Sequence, residues 1–290
     1  MSEQVLTAEA VRAAYLLLLA REPESEAIVQ NYVDHSNFDK LKDIILGSRE
    51  FVARALQEDF VTNLPFFAAM HVDNLNSSMR GTEHLAILDL PISGKTVSDI
   101  GAGLGLMASF FFERKCKVNL VDKSESLIEL AKIYHSSSRE RDLSNLSFVV
   151  ADFDSLEAPK LEQTAITICY DTLWQSKNIR SFIENLNTVT GEILVLETRA
   201  AFGIHDDLFV YLDTVSTHDG PTMVNIPTRP WLANRLGEYF PHVYQPTIQP
   251  RHCDFPNSWD LPLRNGAQYG RTVFIASRKE IDTPRLKLFR

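Results

Sequence analysis

The chemistry of this chain concentrates in nine residues, Val97-Ser98-Asp99-Ile100-Gly101-Ala102-Gly103-Leu104-Gly105. Short apolar residues run into an acid, glycines follow at every second position, and Leu106-Met107-Ala108-Ser109-Phe110-Phe111-Phe112 continues as a buried helix. That order predicts a strand, a tight turn and a helix start, which lets backbone pass close to a nucleotide-like ligand. A second apolar strand, Lys117-Val118-Asn119-Leu120-Val121-Asp122, ends in an acid about twenty residues beyond Gly101. Nucleotide-binding α/β units place there the group that grips ribose hydroxyls. A third strand, Ser147-Phe148-Val149-Val150, runs into Ala151-Asp152-Phe153.

The spacing separates two kinds of nucleotide site. The dinucleotide pattern is G-x-G-x-x-G, but position 106 is leucine, so the turn reads G-x-G-x-G and has no obvious pyrophosphate cradle. A nicotinamide dehydrogenase is therefore the weaker reading. The glycine turn with Asp99, the strand-end acid Asp122 and the Asp152-Phe153 pair together resemble the class I S-adenosylmethionine-dependent methyltransferases. The resemblance implies S-adenosylmethionine as cofactor and S-adenosylhomocysteine as product. It places Asp99, Gly101, Gly103 and Gly105 at the amino-acid and ribose portions of the cofactor, Asp122 on the ribose hydroxyls, and Asp152 with Phe153 at the adenine.

The elements that must position these residues alternate along the chain. Strands expected at 97–100, 118–121, 147–150, 165–170 and 192–197, with helices between them, predict an α/β fold. With the resemblance, the expectation is a doubly wound, mostly parallel Rossmann-like methyltransferase sheet, whose ligand would sit beyond the carboxyl ends of the strands. Val243-Tyr244 and Arg271–Ser277 resemble the antiparallel ending of that family's sheet, giving an antiparallel C-terminal strand. The expected organisation is a small all-α N-terminal module over 1–58, connecting helices capping the cofactor site over 59–90, and the methyltransferase domain over 91–280. An acceptor-side insertion is expected at 202–232 and a proline-punctuated loop at 249–266.

In the N-terminal module Thr7 is a plausible helix cap, with Val11, Ala14, Tyr15 and Leu18 at helical spacing. Two blocks, Tyr15–Glu24 and Leu46–Phe51, resemble the linker domains of phycobilisomes, which implies a bacterial module beside glycan and surface functions. Protein docking through residues 1–58 and a helical cap on the enzyme are both open readings. The resemblance further implies that the loop after the fourth strand faces cofactor and acceptor. Asp171 is therefore a candidate cofactor residue, and Trp174 and Gln175 are candidates for the pocket. His71, Arg80 and His84, on the connecting helices, can also reach the site.

Methyl transfer from a sulfonium needs an acceptor held in line and, for a hydroxyl, a base to remove its proton. His205, His218 and His252 lie in the acceptor-side segments, and His252 followed by His205 are the candidate catalytic bases because acids adjoin them (Asp254; Asp206 and Asp207). The same acids raise the question of magnesium, but spacing does not bring them together, and no metal ligand is assigned. The company kept by the N-terminal module suggests a hydroxyl of a sugar or glycan precursor as acceptor. The alternatives are a natural-product or other small-molecule O- or N-methyltransferase, and a non-catalytic cofactor-binding interaction protein.

Composition bounds these readings. The 290 residues are 44% hydrophobic and 23% charged, as in soluble globular proteins, and the net charge of −9 disfavours a nucleic-acid partner. Cys116, Cys169 and Cys253 are widely separated and read as free thiols in a reducing compartment. The apolar block Tyr15–Ala20 is too short to span a bilayer, and no leader pattern is present, so a cytoplasmic location and no membrane span are expected.

Overall fold

A computed structural model describes residues 6–19, 21–35, 40–41, 44–45, 48, 79–136, 143–157, 159–213, 222–249, 252, 254–256, 258–259 and 269–289. The chain divides into two compact units, one of residues 1–71 with 132–141 and one of 72–131 with 142–290.

In the first unit α1 (Ala8–Leu19) and α2 (Glu26–His35) follow from their apolar spacing. The Thr7 hydroxyl accepts from the Ala10 amide at 3.2 Å, the expected cap. Val11, Tyr15 and Leu19 pack with Val29, Leu41 and Ile45 in a core of their own. Among the described residues all regular structure here is helical. The helical piece expected at 49–54 lies outside the described residues.

Among the described residues the second unit is built on an eight-stranded sheet. Its strands are β1 (Thr96–Ile100), β2 (Lys117–Asp122), β3 (Leu146–Val150), β4 (Thr164–Tyr170), β5 (Thr190–Ala201), β8 (His242–Pro246), β9 (Tyr269–Ser277) and β10 (Leu286–Leu288). Their order across the sheet is β10-β8-β9-β5-β4-β1-β2-β3. The pairs β1–β2, β2–β3, β1–β4 and β4–β5 are parallel, while β9 joins β5, β8 joins β9 and β10 joins β8 antiparallel. The Rossmann-like methyltransferase sheet with an antiparallel C-terminal end is therefore present.

Alternation along the strands explains why both faces are apolar. Ile166, Ile168, Val195, Val273 and Ile275 enter one core with Phe111, while Cys169, Leu194, Leu196, Phe274 and Ala276 enter the other with Phe182, Leu186 and Leu236. The helix Ile179–Val189 shows its buried stripe in Ile179, Phe182, Ile183, Leu186 and Val189. A helix over 79–88 contributes Leu85 and Leu88 to the first core.

Three expectations need adjustment. The 202–232 insertion, read as polar and turn-rich, holds an antiparallel hairpin of β6 (Leu208–Asp213) and β7 (Thr222–Pro227). The β-forming run Leu208-Phe209-Val210-Tyr211-Leu212 carries it, and its side chains are largely exposed, so no alternation marked it. The helix expected to start on Pro230 is Arg229–Gly237, capped by the Thr228 hydroxyl at 3.3 Å from the Trp231 amide, which puts proline second. Strand β5 continues to Ala201 because β9 pairs with it along its whole exit.

Candidate active site

The turn after β1 has the backbone that only glycine adopts without strain: φ is +74° at Gly101, +55° at Gly103 and +67° at Gly105. Gly101 has a second reason. A Cβ built there meets Thr172 Oγ1 at 2.1 Å, Cγ2 at 2.6 Å and Cβ at 2.8 Å, so no threonine rotamer relieves the clash. The amides of Gly101 and Ala102 donate to the Val121 carbonyl at 2.8 and 3.1 Å, tying the turn to the end of β2.

Asp122 is the hinge of this arrangement. Its Oδ2 accepts the Gly103 amide at 3.0 Å and its Oδ1 accepts the Ser124 amide at 2.9 Å, so the carboxylate is fixed in orientation and each oxygen keeps acceptor capacity. Asp99, on β1 and 4% exposed, is pushed up to about 7 by burial and by the Asp122 charge. Asp152 is exposed and accepts the Asp154 amide at 2.9 Å. Phe153 points the other way, buried against Phe182 with ring centroids 5.7 Å apart.

The carboxyl ends of β4 and β5 carry an ion-pair network. Asp171 follows β4 with a left-handed backbone, φ +58°, and its amide donates to Glu197 Oε2 at 2.9 Å. The Arg271 guanidinium, entering from the first turns of β9, donates to Asp171 Oδ2 at 3.0 Å and to Glu197 Oε1 at 2.9 Å, and pairs with Asp171 Oδ1 as well. Arg80 Nη2 reaches Asp171 Oδ2 at 3.2 Å from the 79–88 helix. The Trp174 indole donates to Asp171 Oδ1 at 2.8 Å. Burial pushes the Asp171 carboxyl up, but Arg271 and Arg80 outweigh it and hold the group below its usual range. Glu197, fully buried, stays raised because burial exceeds the help from Arg271.

The network continues toward the expected acceptor loop. Arg271 Nε lies 3.5 Å from Asp254 Oδ2, the Arg271 amide donates to the Asp254 carbonyl at 2.7 Å, and His252 Nδ1 is 3.8 Å from Asp254 Oδ2. His252 is held below its usual range by burial and then by Arg80. Its Nδ1 accepts the Asp254 amide at 3.3 Å, which places the neutral ring's proton on Nε2. His205 is exposed, and Asp206 beside it is engaged by Asn234 Nδ2 at 2.6 Å. His84 is fully buried and pushed down to about 4 by burial, so its ring is neutral. His71, His218 and Cys253 lie outside the described residues.

The structure thus brings Asp99, the three glycines and Asp122 together, and separately joins Asp171, Arg80, Asp254 and His252. It leaves His205 on the surface and gives Trp174 a core position with Ala201, Val224 and Ile226. Arg271, Glu197 and Thr172 went unassigned in the sequence. The first two had a visible signal, a charge at the tip of an apolar strand; Thr172 had none. Aromatic groups flank the same end: Arg199 lies 3.6 Å over the Trp174 ring and 5.4 Å from the Tyr269 ring, and Phe202 and Trp259 are 5.1 Å apart. Among the described residues no cluster of three or more His, Cys, Asp or Glu can hold a metal ion, and no helix is long and apolar enough to cross a membrane.

The fold of the second unit is a Rossmann-like methyltransferase sheet. Residues 97–192 match the family described as "Methyltransferase domain", which spans β1 to the start of β5. The N-terminal unit is outside that match, so its likeness to phycobilisome linkers rests on the sequence blocks alone. The N-terminal domain of EvdMO1, solved with S-adenosylhomocysteine bound, is similar at a TM-score of 0.51 and 13% identity, covering 70% of this chain and 81% of that one. The same domain in the presence of S-adenosylhomocysteine and D-fucose gives 0.50 at 13% identity, covering 70% and 83%. The 1,6-didemethyltoxoflavin-N1-methyltransferase of Burkholderia thailandensis gives 0.46 at 18% identity, covering 79% and 89%. No curated protein matches the sequence. The second unit has the enzyme fold of the S-adenosylmethionine-dependent methyltransferases.

Proposed function

We propose that the chain binds S-adenosylmethionine and transfers its methyl group to a small organic acceptor. The observation that carries this is the Asp122 carboxylate, aimed by the amides of Gly103 and Ser124 beside three glycines of positive φ. A carboxylate so held is fitted to accept both hydroxyls of a ribose, and the G-x-G-x-G turn leaves no cradle for a second phosphate-linked nucleotide. Asp99 and Gly101, Gly103 and Gly105 are assigned to the rest of the cofactor wall, and the methyltransferase resemblance assigns Asp152 and Phe153 to the adenine edge. The cofactor, when bound, supplies a methyl group on a sulfonium, already joined to its leaving group.

The protein's remaining work is to position the acceptor and take its proton. His252 is the base we assign, since its lowered proton affinity keeps it neutral near pH 7. To accept a proton on Nε2 the ring must pass to its Nδ1–H tautomer, for which Asp254 is the adjacent acceptor. The exposed position of His205 makes it the weaker choice. We place a natural-product or other small-molecule O- or N-acceptor ahead of the sugar hydroxyl suggested by the N-terminal module. The aromatic groups Tyr269, Phe202 and Trp259 suit a flat or partly apolar molecule, and a sugar remains within the wider class.

Two measurements test the reading. Calorimetric titration should show binding of S-adenosylmethionine and S-adenosylhomocysteine and none of NAD. Against a panel of small hydroxyl acceptors, His252→Ala should lower kcat with little change in cofactor affinity; an unchanged kcat would remove His252 from the base role.

A further inference from the structure

The β4 exit and the β1 exit touch at one point, Thr172 against Gly101, and the residue that aims Thr172 is Asp171 with φ +58°. A left-handed non-glycine residue is strained and persists only when its surroundings hold it. Here they do so densely. The Asp171 amide is taken by Glu197 Oε2 at 2.9 Å and the Glu197 carbonyl at 3.2 Å, and both carboxylate oxygens are taken by Arg271. Thr172 Oγ1 then donates to the Tyr170 carbonyl at 2.9 Å and contacts the Ile100 carbonyl at 3.4 Å, closing the turn against β1. Arg271 also reaches the other side. Its Nε faces Asp254, its amide takes the Asp254 carbonyl, and next to it Gly270 leaves room for Pro256, whose Cδ is 3.0 Å from where a Cβ would stand.

We propose that Arg271 is a positioning residue: by clamping Asp171 in a left-handed turn and holding Asp254 beside His252, it presses Thr172 onto the glycine turn and sets the glycine turn and the His252 and Asp254 side chains in one fixed relation. The inference rests on the methyltransferase reading for what these two parts hold, but not for the clamp itself. It assigns Asp171 a backbone task, with its carboxylate committed to guanidinium groups and not to the cofactor.

A series at Asp171 separates these roles. Glycine and asparagine adopt positive φ readily, alanine does not. If the turn is what matters, Asp171→Gly and Asp171→Asn bind S-adenosylhomocysteine at least about tenfold more tightly than Asp171→Ala. Equal affinities across the three variants would overturn the proposal and return the carboxylate to the cofactor. Amide hydrogen exchange gives a readout that needs no cofactor. Arg271→Gln should speed exchange both at Gly101–Gly105 and at the Asp254 and Phe255 amides, whereas Asp171→Ala should speed only the first. Arg271→Gln leaving either segment as protected as in the native chain would overturn the clamp. Should Arg271→Gln not fold, the Asp171 series decides alone. Should the native chain not bind S-adenosylhomocysteine, the methyltransferase reading falls and the exchange pattern still decides the clamp.

Discussion

The two ends of this site are built from different materials. The wall after β1 and β2 is made of backbone: glycine dihedrals, amides donating to Val121 and to Asp122, all within residues 99–124. The rim after β4, β5 and the start of β9 is made of long side chains gathered from residues 80, 171, 197, 254 and 271. The first kind of structure is rigid because its geometry is local and few conformations compete. The second is rigid only if every ion finds its partner, because a buried charge left alone is costly. In the function proposed above, the first construction would suit one unvarying cofactor and the second a particular acceptor.

Substitutions can break this contrast, and the largest effect belongs to the backbone wall. Gly101→Ala should destabilise the fold by about 4 kcal/mol or more, since it combines a disfavoured φ with a methyl driven into Thr172. A melting temperature close to the native one would show that the β4 exit can yield, and the wall would then not be rigid. Asp99 comes next. Its carboxyl is protonated in the folded chain up to about 7, while the unfolded chain releases the proton near 3.8. The folded state therefore holds one extra proton between those values, and stability falls as pH rises through that window. Asp99→Asn should abolish that slope and, above about pH 8, gain up to about 4 kcal/mol over the native chain in denaturant titrations. A slope that persists in the variant would locate the titration elsewhere.

Asp122→Ala sharpens the comparison by acting on binding. Losing an aimed carboxylate should weaken cofactor affinity by about 3 kcal/mol in calorimetry. Affinity within threefold of the native chain would detach Asp122 from the ribose. The smallest effect is expected at Thr228, where Thr228→Val removes the cap of Arg229–Gly237 and the buried hydroxyl's bonds to the His205 carbonyl and the Asp207 amide, and should cost about 2 kcal/mol of stability.

The same contrast explains what was legible in the sequence. Asp99, the glycines and Asp122 were readable because their spacing is fixed by one strand, one turn and the next strand. The sheet was readable because its strands are continuous apolar runs, and its antiparallel C-terminal end followed from the resemblance. Arg271 and Glu197 were visible only as charges at strand tips, for no periodicity says which carboxylate a guanidinium will meet across a sheet. The β6–β7 hairpin escaped because β6 exposes Phe209, Val210, Tyr211 and Leu212 on both its faces, so that strand lacks the alternation burial of one face imposes, although Val224 and Ile226 of β7 are buried. The motif also could not show that the Phe153 ring packs into the core against Phe182, with centroids 5.7 Å apart.

In the proposed function the turn after β1 and the Asp122 carboxylate hold an adenosyl sulfonium cofactor. Calorimetric titration of the full chain with S-adenosylhomocysteine, alongside NAD, is the decisive measurement. Saturable micromolar binding of S-adenosylhomocysteine is expected, with no heat from NAD. A folded protein that binds NAD, or that binds neither, would overturn the proposed site.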